Sequence, residues 1–166
     1  MTTTATTTAQ PPRTLIPAPQ RSVRATAAGD DDRRAWNELI AAVRESGQYP
    51  TTTEAERVTR TVLSELGGQL TGDERVALAR ALPREAAGTI ASRIPALRPR
   101  SAREFVDAVA TRIEGATPAT ARWHAGSVLG ALPPRIGDTL TDRLLAQLPP
   151  GYALLFGRVE LVSRTV

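Results

Sequence analysis

The stretch Val62-Leu63-Ser64-Glu65-Leu66 recurs as Val128-Leu129-Gly130-Ala131-Leu132, and the offset from 62 to 128, 66 residues, aligns much more of the chain. It carries Glu38 onto Glu104, Ala42 onto Ala108, Val43 onto Val109, Ala55 onto Ala121, Leu78 onto Leu144 and Leu82-Pro83 onto Leu148-Pro149. Conservative matches keep the same frame: Leu39 with Phe105, Ile40 with Val106, Leu70 with Ile136, and Ile90 with Phe156. A unit that repeats its apolar residues and its helix breaks in step restricts the chain to tandem copies of one supersecondary block.

Within each block the apolar spacing is helical. Trp36, Leu39, Ile40 and Val43 fall at i, i+3, i+4 and i+7, and Gly47 and Pro50 end that helix. Thr51-Thr52-Thr53-Glu54 offers a capping box for a second helix with Ala55, Val58, Val62 and Leu66 on one face, closed by Gly67-Gly68. Thr71-Gly72-Asp73-Glu74 opens a third helix, and Pro83 suits the first position of a short fourth. The second block follows suit from Ser101-Ala102-Arg103-Glu104, Thr117-Pro118, Asp138 as a cap, and Pro149-Pro150 before Tyr152, Leu155 and Phe156. The expectation is an all-α fold: two tandem helical repeats forming one compact helical domain, three long helices and one short helix in each.

Order is expected to begin at Asp30-Asp31-Asp32, whose carboxylates suit a helix start. Residues 1–29 are Thr- and Pro-rich and read as a disordered tail. Its one apolar island is Thr14-Leu15-Ile16-Pro17-Ala18-Pro19. Residues 30–157 then form the two-repeat domain, with repeat one over 34–95, a basic linker over 93–103 and repeat two over 101–157. Residues 158–166 remain as a C-terminal tail.

Composition removes several chemistries. With no cysteine there are no disulfides, thiol nucleophiles or thiolate metal sites. His124 is the single histidine and takes the place of core-facing Val58 in the repeat frame, so it reads as packed on or beside the core. Asp138 and Asp142 near it would lack a nucleophile elbow, and Gly67-Gly68 is followed by no lysine that could complete a phosphate loop. Carboxylates such as Glu54, Glu56, Asp73 and Glu74 lie in first turns, where helix ends alone favour them. No catalytic residue, cofactor site or metal site is expected. Trp36 and Trp123 read as packing aromatics.

The formal charge is +4, and all 21 basic residues are Arg. Four of them, Arg93, Arg98, Arg100 and Arg103, crowd the inter-repeat connector with no acid among them, and are the candidate contacts for an anion or nucleic acid. No aromatic interleaves with them to stack a base. No apolar run suits a membrane helix or a secretory signal, which points to a cytoplasmic location without membrane insertion.

Two copies of a helix ending in Val-Leu-x-x-Leu, each followed by a helix ending in Leu-Pro, resemble an uncharacterised bacterial family, domain of unknown function two-two-six-seven. The residues are Val62-Leu63-Ser64-Glu65-Leu66 with Ala81-Leu82-Pro83, and Val128-Leu129-Gly130-Ala131-Leu132 with Gln147-Leu148-Pro149. Arg100-Ser101-Ala102-Arg103-Glu104-Phe105 is similar to that family's inter-repeat segment. The resemblance covers about residues 34–157 and implies a helical domain, without an activity or cofactor. The functional expectation is a non-catalytic protein-interaction or scaffolding module with an unidentified protein partner. The alternative is sequence-independent nucleic-acid association through the connector and the tail residues Arg13, Arg21 and Arg24.

Overall fold

Capping chemistry sets most of the helix boundaries. The computed structural model describes residues 21–159, with side chains from Arg24 onward, and every regular element among them is a helix. These are α1 (Arg21–Gly47), α2 (Thr52–Gly67), α3 (Gly72–Ala81), α4 (Arg84–Ala91), α5 (Ala102–Arg112), α6 (Pro118–Leu129), α7 (Pro133–Ile136), α8 (Asp138–Gln147) and α9 (Tyr152–Leu155). Thr51 caps α2 by accepting the Glu54 N–H, and full capping boxes start α5 at Ser101 and α6 at Thr117. The Ser101 backbone N–H and hydroxyl hold the Glu104 carboxyl below its usual range. Some helix bounds fall at the 66-residue offset and others do not: α3 shifted by it coincides with α8, and α2 and α6 start at Thr52 and Pro118, but α6 ends four residues short of that frame and α7 has no counterpart.

Several expected boundaries move. Helix α1 begins at Arg21, so residues 21–29, read as part of a disordered tail, are helical. The physical reason is local: no proline stands between Pro19 and Pro50, and Arg24 to Ala28 is rich in good helix formers. Asp30 to Asp32 therefore lie inside α1 rather than in its first turn. Asp30 and Asp31 make exposed i,i+3 pairs with Arg33 and Arg34, while Asp32 Oδ1 accepts the Arg84 N–H at 2.9 Å and caps α4 from a distance. Arg24 is exposed on α1; Arg13 and the Thr14–Pro19 island lie outside the described residues.

Pro83 sits one place before its helix, as the N-cap, and Gly137, at φ 84°, caps α8 in place of Asp138. Thr71 makes no side-chain cap; its backbone N–H and carbonyl instead pair with the Gln147 side-chain amide at 2.9 and 3.2 Å. The short helix α7 is an addition, started by Pro133-Pro134. Arg158, placed in the C-terminal tail by sequence, ion-pairs with Asp138 and Asp142 of α8.

The core runs without interruption from Trp36 to Phe156 and draws on both halves. α2 buries Ala55, Val58, Val62, Leu63 and Leu66 against α1, α4 and α6. α6 buries Ala121, Ala125, Val128 and Leu129 against α1, α2 and α5. Each fully buried leucine contributes about 1.5–3 kcal/mol. Arg60 fastens three helices at the edge: its guanidinium lies 5.3 Å from the Trp36 ring of α1 and donates from Nε and Nη2 to Glu85 of α4.

The elbow after α1 is held to α6. Tyr49 Oη and His124 Nδ1 lie 2.6 Å apart with their rings stacked, and Trp123 Nε1 donates to the Gly47 carbonyl at 3.1 Å. His124 is thus half-buried beside the core, as its repeat position suggested. Burial pushes the Tyr49 phenol up to about 12 and the His124 imidazole below its ordinary value. Trp123 stays 55% exposed, so it joins the halves through its N–H while its ring faces solvent.

The tightest helix contact is at the end of α2. A Cβ on Gly67 would stand 2.3 Å from the Ile90 carbonyl oxygen of α4. No side chain could move aside to relieve this backbone clash. Gly67→Ala is expected to cost about 2–3 kcal/mol through overpacking. Gly88→Ala, on α4 with nothing within 4 Å of the added atom, is expected to stabilise by about 0.5–1 kcal/mol. Urea denaturation of the two variants checks this pair of opposite signs.

Candidate functional site

The connector between α4 and α5 is bound at both ends. Arg75 of α3 donates to the carbonyls of Ile90, Ala91 and Arg93, which satisfies the acceptors that the end of α4 leaves open. The Ala96 N–H donates to the Gly68 carbonyl at 2.8 Å. At the far end the Arg100 N–H donates to Gln69 Oε1 at 2.6 Å, and its carbonyl accepts the Tyr152 hydroxyl at 2.9 Å. Tyr152 is fully buried, and burial raises its phenol well above the usual range. On either side of the Ala96 anchor, Ile94, Leu97 and Arg98 face solvent.

Beneath the connector lies Glu65, in the last turn of α2 and 1% exposed. Its Oε1 accepts from Arg93 Nη2 and Arg112 Nη1, each at 2.9 Å, and its Oε2 accepts from Arg100 Nη1 at 3.0 Å. Arg112, at the end of α5, also donates to the Ser64 hydroxyl at 3.1 Å. A buried carboxylate without such donors would carry a desolvation cost of several kcal/mol. Here two cations of the connector and one of α5 supply them. The three guanidinium side chains remain 38–42% exposed, so the cluster is buried on its acidic side and open on its basic side.

The four connector arginines therefore divide. Arg93 and Arg100 converge on Glu65 and line a hollow of about 420 Å³ with Gly68, Gln69 and Ser92. Arg98 and Arg103 point to solvent and make no ion pair among the described residues. Glu65, Gln69 and Arg112 were not singled out by sequence. The available signal was that Glu65 stands between Leu63 and Leu66 and that its counterpart 66 residues on is the buried Ala131.

A second concavity lies between α5, α6 and α9. Hollows of about 540 and 380 Å³ adjoin there and share Ala119, Arg122, Leu154 and Leu155. The apolar lining comes from Val106, Pro118, Ala119, Leu154 and Leu155; Arg103, Asp107 and Arg122 supply charge. Leu154, 56% exposed, and Trp123 stand on its rim. Gly151, at φ 96°, makes the approach of α9 to α5 possible, because a Cβ there would already lie 3.0 Å from the Ala102 methyl. A third hollow, of about 600 Å³ beside the α1–α2 elbow, is lined by Arg44, which is committed to the Tyr49 and Pro50 carbonyls.

Among the described residues no group of three or more His, Cys, Asp or Glu could hold a metal ion, and no helix is long and apolar enough to cross a membrane. The fold and its sites define an all-helical domain with one polar, arginine-lined hollow and one apolar groove. The chain belongs to the family described as an uncharacterized conserved protein, DUF2267, whose model matches residues 36–155. No curated protein matches it. The match begins at Trp36 of α1 and ends at Leu155 of α9, so it spans both halves of the core and the connector.

The Glu65 geometry yields a stability contrast. Glu65→Gln keeps the shape but leaves three guanidinium groups facing an amide, and is expected to lower stability by about 2 kcal/mol. That is less than the roughly 3–5 kcal/mol of a fully buried pair, because the arginines are partly solvated. Glu85→Gln, which opens the exposed pair with Arg60, is expected to cost less than about 1 kcal/mol. Urea midpoints for the two variants measure the difference; equal midpoints would contradict the hub role of Glu65.

Proposed function

We propose that this chain is a non-catalytic protein-interaction module that holds a partner segment in the groove between α5, α6 and α9. The observation that supports it is the continuity of the two hollows through Ala119, Arg122, Leu154 and Leu155, with an exposed tryptophan and leucine at the rim. Exposed aromatic and aliphatic side chains beside a concave apolar surface are typical anchors for a partner chain. Arg103 and Arg122 in the lining favour a segment that carries apolar side chains and at least one carboxylate. Two adjoining hollows of about 540 and 380 Å³ give room for an extended or helical peptide.

The alternative reading, sequence-independent nucleic-acid association, draws on a different observation. Arg98 and Arg103 stand exposed and outside any ion pair among the described residues, and Arg24 is exposed on α1. Its signature is affinity that falls steeply with salt, since each phosphate contact releases counterions.

The test of the first reading compares capture of partners by the wild-type chain and by Leu154→Asp, a substitution at an exposed position that leaves the core intact. A protein retained by the wild-type chain should bind the variant at least about tenfold more weakly, the loss expected from removing one apolar anchor. Equal retention by both, or nothing above background with the wild-type chain, would contradict the groove as the binding surface.

A further inference from the structure

We infer that the hollow beneath the connector is a binding site for a phosphate-type oxyanion, held between the guanidinium groups of Arg93 and Arg100. Charge is the first argument. Three cations surround the single carboxylate of Glu65, leaving an excess of two positive charges at one point. Arg112, with Ser64, answers Glu65 from outside the hollow, so Arg93 and Arg100 are the surplus on the open side. The Glu65 carboxylate, which also lines the hollow, bridges the two guanidinium groups but carries one charge against three, and an oxyanion on their open side offsets the remainder.

Donor count is the second argument. A guanidinium carries five N–H donors. Arg93 and Arg100 each contact Glu65 through a single terminal nitrogen, Nη2 and Nη1 respectively. Arg60, by contrast, commits both Nε and Nη2 to Glu85. Most donors of Arg93 and Arg100 thus have no protein acceptor among the described residues, although both side chains are already oriented. The buried carboxylate acts as a fixed peg that sets the two forks in place before any ligand arrives, so little side-chain entropy is lost on binding.

Shape is the third. The hollow, about 420 Å³, is backed by Gly68 and Gln69 of the α2 end and edged by Ser92, and its cations converge rather than line up. A tetrahedral oxyanion matches two converging guanidinium forks. A nucleic-acid duplex presents its charges in a row, and asks for cations spread along a track. The geometry therefore favours a free phosphate or the terminal phosphate of a small ester over a duplex. This site shares no residue with the groove lining, and stands or falls separately from it.

The experiment titrates the full chain with inorganic phosphate, with inorganic pyrophosphate and with a short DNA duplex, at ionic strength held constant with chloride. Binding is read by calorimetry and by the NMR shifts of the Arg93 and Arg100 Nε–H groups and the Arg100 amide. The expected result is saturable binding of phosphate or pyrophosphate that moves those resonances. It should weaken at least tenfold in the double variant Arg93→Gln/Arg100→Gln and stay unchanged in Arg98→Gln/Arg103→Gln. Stronger response to pyrophosphate than to phosphate assigns a diphosphate-bearing ligand; equal response assigns a single phosphate group. The inference is overturned if neither anion binds beyond chloride, if only the duplex binds, or if the outer pair of substitutions weakens binding as much as the inner pair. Should the inner double variant fail to fold, shifts in the wild-type chain decide: saturation at the Arg93 and Arg100 groups supports the site, and shifts confined to Arg98 and Arg103 overturn it.

Discussion

A carboxylate buried at the end of α2 must be surrounded by donors, and at Glu65 those donors arrive from three separate places in the chain. Arg93 comes from the start of the connector, Arg100 from its end, and Arg112 from the end of α5. That one requirement holds the connector against the body and positions α5 relative to α2. The buried charge is weak evidence for net stability, because desolvation opposes the Coulomb gain. What it contributes is a tether: both ends of the connector, at Arg93 and Arg100, contact the same carboxylate.

The consequences extend from that point into the rest of the second half. With Arg100 fixed, its carbonyl receives the Tyr152 hydroxyl, and the next residue, Ser101, caps α5. α5 and α9 are thereby brought together, packed through Phe105 against Tyr152 with ring centroids 5.4 Å apart. Their outer surfaces, from Ala102 to Val106 and from Gly151 to Leu155, line the apolar groove. The polar hollow and the groove thus draw on different residues around one connector-to-helix junction, the first on Arg93 and Arg100, the second on Ala102 and Arg103. Their chemistries differ because the hollow is built on a buried acid, while the groove is floored by apolar residues of α5, α6 and α9, with Arg103, Asp107 and Arg122 supplying its charge.

Much of the helical framework was legible in the sequence, because it is encoded locally. Ser101 with Glu104, Thr117 with Pro118, and the three- and four-residue spacing of Ala55, Val58 and Val62 act over one or two turns, where capping and periodicity can be read directly. The start of α1 was missed because Thr- and Pro-rich sequence up to Pro19 was extended too far, across an alanine-rich stretch that continues the helix. The Asp32 cap on α4 was beyond local reading, since it joins residues 52 apart. The arginines of the connector were recognisable as a cluster, but not as two kinds. Arg93, Arg100 and Arg112 find Glu65 at separations of 28, 35 and 47 residues, and a glutamate within a helix ordinarily reads as a solvent-facing residue. Only its place between Leu63 and Leu66, opposite Ala131 in the second half, hinted at burial.

The connector is part of the folded body, pinned across a buried acid. Native-state hydrogen exchange at the Ala96 and Arg100 amides addresses it most directly, since their acceptors are the Gly68 carbonyl and the Gln69 side chain. The account predicts that both amides are protected far beyond exposed-loop amides, and that Glu65→Gln lowers the protection of Arg100 by more than that of the helix-core amides of α2. Exchange of both amides at the rate of an unstructured loop in the wild-type chain would contradict it.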